Sequence, residues 1–279
     1  MTADSFVDRI ERLPPLREVI ARSKLSARRA LSQNFLLDLN LTRKIARSAG
    51  PIETGTTIEI GPGPGGLTRA LLLEGARHVI AIERDARAIE ALVELEVAAE
   101  GRLEVIEGDA LHFAVHELGK QPRHLVANLP YNIATRLIID WLRQPNAFES
   151  LTIMVQKEVA LRLCAVTGEA DYGRLSVITR WLADPVLLFE VPASAFTPTP
   201  KVTSAMVRLI PRPAPLFPAD RAALETVTAA AFGQRRKMLR GSLRKLGGER
   251  LLERTGIDPT TRPDKLSIDD FCHLAREIG

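Results

Sequence analysis

Asn128, Leu129, Pro130 and Tyr131 follow directly on residues 123–127, a short apolar run that reads as a buried strand of a parallel sheet. The Asn128 side-chain oxygen and the Leu129 carbonyl are two acceptors suited to one exocyclic NH2. Pro130 restricts the backbone of the residue before it and so steadies that carbonyl. Tyr131 adds a flat face. This combination suits chemistry on an amine-bearing ring, at the carboxyl end of a strand, where open α/β sheets place their ligands.

Three earlier segments end in the same way. The β-branched run 56–60 leads into Gly61-Pro62-Gly63-Pro64-Gly65-Gly66, in which Gly61, Gly63 and Gly66 match a G-x-G-x-x-G turn that lets backbone approach a ligand. Glu83, about twenty residues on, ends a second strand, 79–82, where a carboxylate can hold a ribose hydroxyl pair. A third strand, 103–106, runs into Asp109, which can accept from an adenine amine. Gly61, Glu83, Asp109 and Asn128 thus close four successive strands, each followed by a helical stretch or a turn. The pattern predicts a nucleoside cofactor on a Rossmann-like α/β sheet, without separating a nicotinamide dinucleotide from S-adenosylmethionine. Gln33 and Asn34, beside Phe35 and Leu36 and ahead of a helix capped by Asp38, are candidate lining. Phe196 opens a proline-stiffened loop, Pro198 and Pro200, and is a candidate second face for a ring held on Tyr131.

The whole chain sets the frame for these residues. Its 279 residues, 46% hydrophobic and 26% charged, suit one large α/β domain and one small one. Pro211, Pro213, Pro215 and Pro218 mark a linker. The expected domains are 1–211, including an N-terminal arm of 1–50, and 212–279, which reads as helices at 220–232, 235–246, 249–254 and 267–278. Apolar runs fall short of the roughly 18 residues of a membrane span, and the acidic residues of the N-terminus argue against a targeting peptide. A cytoplasmic location is expected. Cys164 and Cys272 are far apart and read as reduced structural thiols, and the five histidines form no ligand cluster, so no metal is expected.

The net charge of +4 is unevenly spread. Arg22, Lys24, Arg28 and Arg29 crowd the arm, and eight basic residues lie between 233 and 254 against Glu249 and Glu253. Two basic clusters favour a polyanionic partner. Arg236, Arg240 and Arg244, at i, i+4 and i+8, would line one stripe of a helix, suited to the phosphate backbone of folded RNA.

In this order the motifs resemble the ribosomal RNA adenine dimethyltransferases, most closely the bacterial type that modifies small-subunit RNA. The resemblance covers almost the whole chain from about Leu13. It rests on the stretches 31–36, 59–68, 128–133 and 231–237 and on Phe196-x-Pro198-x-Pro200-x-Val202-x-Ser204. Two positions depart from the usual pattern: Ser32, where glycine is common, and Gly241, where asparagine is. The resemblance implies a class I methyltransferase sheet, mostly parallel with the last strand antiparallel, and a small all-helical C-terminal domain. It implies S-adenosylmethionine bound by Gln33, Asn34, Leu36, Gly61, Gly63, Glu83, Asp109 and Asn128. Catalysis would fall to Asn128, Leu129, Pro130, Tyr131 and Phe196, and RNA binding to Arg235, Arg236, Lys237, Arg240 and Arg244. The implied reaction is dimethylation of two adjacent adenosines in the 3′-terminal hairpin loop of 16S-type RNA, within an immature 30S-type particle, by a monomer. Three rival readings share parts of this pattern: a dehydrogenase, which leaves residues 128–131 and the basic helices unexplained, a large-subunit RNA methyltransferase, and a nucleic-acid-binding transcription factor.

Overall fold

The computed structural model describes residues 5–25, 33–144 and 146–279. Arg28, Arg29, Leu31 and Ser32 lie outside the described residues. The chain divides into two compact units, residues 1–157 with 186–211, and residues 158–185 with 212–279.

The first unit opens with helices α1 (Phe6–Glu11), started by a Ser5–Asp8 capping box, and α2 (Leu16–Arg22). Strand β1 (Phe35–Leu36) precedes α3 (Leu39–Arg47), whose first turn is capped by the Asp38 carboxylate accepting from the Asn40 N–H. Alternation follows: β2 (Thr56–Ile60), α4 (Gly66–Leu73), β3 (Val79–Glu83), α5 (Ala86–Ala98), β4 (Leu103–Glu107), β5 (Arg123–Asn128), α6 (Ala134–Trp141) and β6 (Ser150–Gln156). Strands β7 (Ala183–Val191), β8 (Phe196–Thr197) and β9 (Ser204–Pro211) complete it.

Seven strands form one sheet in the order β4-β3-β2-β5-β6-β9-β7. Strands β2 to β6 run parallel, and β9 lies antiparallel to β6. β2 and β3 are buried at every residue, which explains why both are mostly apolar and β-branched, Glu59 and the terminal Glu83 excepted. The chain moves outward from β2 to β3 and β4, then returns to β5 on the other side of β2. That reversal leaves a crevice beyond the carboxyl ends of β2 and β5. Register aligns the exits: Ile60 faces Ala127 on one side and Ile82 on the other, and Glu83 faces Glu107. A separate two-stranded ladder, absent from the sequence expectation, pairs Leu36 with Phe196 and Phe35 with Thr197.

The second unit contains α7 (Lys157–Cys164), apart from its first residue, α8 (Arg174–Leu182), α9 (Arg221–Gly233), α10 (Leu239–Ser242), α11 (Glu249–Thr255) and α12 (Ile268–Ile278). Residues 158–185 join it, although the expected boundary lay only at 211/212, because their aromatic side chains find partners there. The Tyr172 ring meets Phe232 edge-on at 5.9 Å, Phe232 packs on Phe271 at 5.4 Å, and the Tyr172 hydroxyl donates to the Leu266 carbonyl at 3.0 Å. Trp181 Nε1–H donates to the Phe217 carbonyl at 2.8 Å. Ser267 and Asp270 form the expected capping box of α12. Both cysteines are free, and burial pushes their thiols up to about 11 for Cys164 and about 12 for Cys272, the direction of an inert thiol.

The expected helix over 235–246 is not continuous. α9 ends at Gly233, residues 234–238 turn, α10 is a single turn, and Arg244–Leu246 is a short 3-10 segment. Competing backbone bonds explain the break. Leu239 N–H donates to the Thr261 carbonyl and Arg240 N–H to the Pro259 carbonyl, where a helix would send both to the preceding turn. Arg236, Arg240 and Arg244 therefore form no i, i+4, i+8 stripe. They remain a basic cluster with Arg235 and Lys237, in which Arg240 pairs with Glu249 at 3.7 Å and Arg235 donates to the Glu169 carbonyl.

Candidate active site

A cleft of about 960 Å³, counted to its open mouth, lies at the carboxyl ends of these strands. Eleven of the residues singled out from sequence line it: Gln33, Asn34, Leu36, Gly61, Gly63, Glu83, Asp109, Asn128, Leu129, Pro130 and Tyr131. Phe196 does not. Its ring is 2% exposed and packed in the core, because the short ladder pins its backbone against Leu36.

The glycine loop bends where only glycine does so without strain. Gly61 and Gly63 have φ of +68° and +55°. A Cβ on Gly61 would project into open space, whereas one on Gly63 would touch the Phe35 ring at 3.1 Å. Glu83, 5% exposed, holds the loop: one carboxylate oxygen accepts from Gly63 N–H at 3.1 Å, the other from Arg84 and Asp85 N–H at 2.8 and 2.9 Å. Burial raises the Glu83 pKa, and these three N–H donors pull it partly back. A carboxylate offers about four acceptor sites, so one remains for a ligand hydroxyl.

Farther along the cleft, Asp109 accepts from Leu111 N–H at 3.0 Å and from the Arg84 guanidinium at 3.2 Å. Gln33 Nε2 donates to Asp85 at 3.1 Å. Asp85 caps α5 through Arg87 N–H and also binds the Arg87 guanidinium. That pairing holds the Asp85 carboxyl down at about 2. Gln33 is thereby anchored at the start of α5, two residues after Glu83.

Around residues 128–131, Asn128 Nδ2 donates to the Asn34 carbonyl at 3.1 Å. A carbonyl can only accept, so this contact fixes the amide orientation and leaves Oδ1 as the acceptor on the other side. Leu129 N–H donates to the Met154 carbonyl at 3.2 Å, while among the described residues no donor reaches the Leu129 carbonyl. The Pro130 carbonyl accepts from Ile133 and Ala134 N–H at the start of α6. Tyr131, half-buried, places its hydroxyl 2.7 Å from Ser204 Oγ.

Glu59 also lines the cleft, although the sequence reading gave it no role. Glu59 is 1% exposed, and its Oε2 has no hydrogen-bond partner among the described residues. Burial pushes its carboxyl up to about 8. The nearby Thr68 hydroxyl favours the ionised form but has no hydrogen bond of good geometry, and Glu83 adds repulsion. A charged residue flanked by Ile58 and Ile60 inside a β-branched strand was the available signal. Among the described residues no cluster of His, Cys, Asp and Glu is placed to hold a metal ion.

Residues 24–279 match the family described as ribosomal RNA adenine dimethylase. The chain belongs to that family. It is 60% identical to a ribosomal RNA small subunit methyltransferase A of Rhodospirillum rubrum over 267 residues, covering 95% of this chain and 93% of that one. Among solved structures, a dimethyladenosine transferase from Plasmodium falciparum superposes with a TM-score of 0.71 at 26% identity, covering 86% of this chain and 95% of that one. The 23S rRNA methyltransferase ErmE gives 0.65 at 30% identity, covering 88% and 99%.

As an rRNA adenine dimethylase, the chain takes its methyl groups from S-adenosylmethionine. The cleft fits that molecule. The cleft has a buried carboxylate with one acceptor site still open, and its glycine loop leaves room for close backbone approach.

Proposed function

We propose that this rRNA adenine dimethyltransferase acts on two adjacent adenosines in the 3′-terminal hairpin loop of small-subunit RNA, presented by an immature particle. The 60% identity to a small-subunit enzyme, against 30% to ErmE, supports the small subunit over the large. We assign the cofactor to Gln33, Asn34, Leu36, Gly61, Gly63, Glu83, Asp109 and Asn128. Glu83 would take a ribose hydroxyl at its remaining acceptor site and Asp109 the adenine amine. When bound, S-adenosylmethionine supplies a methyl group on a sulfonium, an electrophile that needs no metal and no covalent enzyme intermediate.

The observation that carries the chemistry is the pair of acceptors at Asn128 Oδ1 and the Leu129 carbonyl. The lone pair of an adenine amine is delocalised into its ring and is a poor nucleophile. Two acceptors for its N–H groups favour a pyramidal nitrogen with that lone pair free. Holding the amine in this geometry converts binding into rate, since orientation alone supplies a large share of such barriers. Tyr131 offers the stacking face, worth about 1–3 kcal/mol for a base on an aromatic ring. Phe196 is buried in the core and paired through its backbone with Leu36, so its ring does not line the cleft as the second face of a sandwich.

The helical unit with Arg235, Arg236, Lys237, Arg240 and Arg244 is assigned to the RNA backbone, which basic side chains position without reading sequence. A monomer acting in the cytoplasm fits this role, and no helix of the described residues is long and apolar enough to cross a membrane. Incubation with labelled S-adenosylmethionine and undermethylated small subunits, followed by mapping of the modified bases, tests the reading. Label on two neighbouring adenosines near the 3′ end supports it. Label confined to large-subunit RNA overturns it.

A further inference from the structure

We propose that Ser204 is a positioning residue for methyl transfer and acts through Tyr131. The inference rests on the reading of Tyr131 as the face on which the target base stacks. Ser204 opens β9 with 0% exposure, and its Oγ lies 2.7 Å from the Tyr131 hydroxyl. Among the described residues its side chain has no other hydrogen-bond partner. A buried hydroxyl left alone would be costly, so the contact with Tyr131 satisfies Ser204 as well as holding the ring.

Sheet register gives this contact its consequence. β6 lies between β5 and β9. Asn128 on β5 faces Met154 of β6, and Ser204 on β9 faces Gln156, two residues farther along the same strand. The Tyr131 side chain therefore crosses the carboxyl end of β6. Its ring is held at two points: by the backbone three residues after Asn128, and by its hydroxyl on a different strand. Swinging about the Cα–Cβ bond would break the second hold. The ring face and the acceptors at Asn128 and Leu129 then keep one fixed relation, which matters because misplacement of about 1 Å can cost about a hundredfold in rate. Burial raises the Tyr131 pKa, which keeps the phenol protonated and able to donate.

The test uses the full-length protein with undermethylated small subunits and compares Tyr131→Phe, Ser204→Ala, the double variant and Tyr131→Ala. Each single loss of the hydroxyl contact should lower kcat by roughly three- to tenfold, the range of a neutral hydrogen bond. The double variant should be no worse than the poorer single, and affinity for S-adenosylmethionine should be unchanged in all three. A merely structural role would instead move melting temperature and cofactor affinity together. Wild-type kcat in Tyr131→Phe, which leaves the strand untouched, overturns the proposal. So does a double-variant loss equal to the product of the two singles, which would mean independent roles. Tyr131→Ala at full activity would sink the stacking reading itself. An impaired Tyr131→Ala beside unimpaired Tyr131→Phe and Ser204→Ala would remove only the role of Ser204.

Discussion

Glu83→Gln is nearly isosteric, yet it should not be conservative here. Both Glu83 oxygens accept backbone bonds, from Arg84 and Asp85 on one side and from Gly63 on the other. An amide has a single acceptor atom. If that oxygen keeps the Arg84 and Asp85 N–H groups, the new NH2 faces the Gly63 N–H donor to donor at a site where the original contact was 3.1 Å. The glycine loop loses its tether, and a ribose hydroxyl loses a charged acceptor. A charge-assisted hydrogen bond is worth about 1.5–3 kcal/mol, so affinity should fall about 10- to 150-fold at about 1.4 kcal/mol per factor of ten. Stability should move less, because removing a buried charge also relieves the desolvation that raises the Glu83 pKa. Isothermal titration with S-adenosylmethionine, with a thermal melt as the folding control, reads both quantities. A folded variant whose affinity lies within threefold of wild type would refute the reasoning.

Glu59→Gln should change how stability responds to pH. The folded pKa of Glu59, about 8, lies above its ordinary 4.5, so between these values the folded chain holds a proton that the unfolded chain has lost. Wild-type stability should decline across that window by up to about 1.4 kcal/mol per pH unit, and thermal melts of Glu59→Gln at pH 5 and pH 8 should show that decline removed. Asp85→Ala deletes a helix cap and removes the carboxylate that accepts from Gln33 Nε2. It should cost about 1–2 kcal/mol in denaturant unfolding and weaken cofactor binding as well. Replacing Arg236, Lys237 and Arg244 together by alanine should reduce the slope of log K against log salt for small-subunit binding by about two, with calorimetric cofactor affinity unchanged. An unaltered slope would move the RNA contact elsewhere.

The cleft was legible because its residues sit at strand ends, and strand ends are readable from apolar runs broken by glycine or a polar side chain. Gly61, Glu83, Asp109 and Asn128 each interrupt such a run, and parallel register brings them to one edge. The features that the sequence does not show depend on contacts distant along the chain. The Asn34 carbonyl that orients Asn128 is 94 residues away, and the Ser204 hydroxyl meets Tyr131 across 73. Phe196 is a candidate ring face by its place before a proline-stiffened loop, but the pairing that buries it involves a two-residue strand too short to show a period. The basic run after Gly233 has helical spacing, and it is the 258–261 loop, later in the chain, that captures its backbone donors.

The second compact unit is assembled from two stretches separated by residues 186–211. A gene fragment ending at codon 211 would therefore not encode one finished half of the protein. It would encode Tyr172 without Phe232 and Leu266, and Trp181 without the Phe217 carbonyl. During synthesis, residues 158–185 must wait for a segment that leaves the ribosome later. For the same reason, recombination at the proline-rich junction cannot exchange the helical unit cleanly. Any exchange that keeps these contacts must carry both stretches and, with them, residues 186–211 of the first unit.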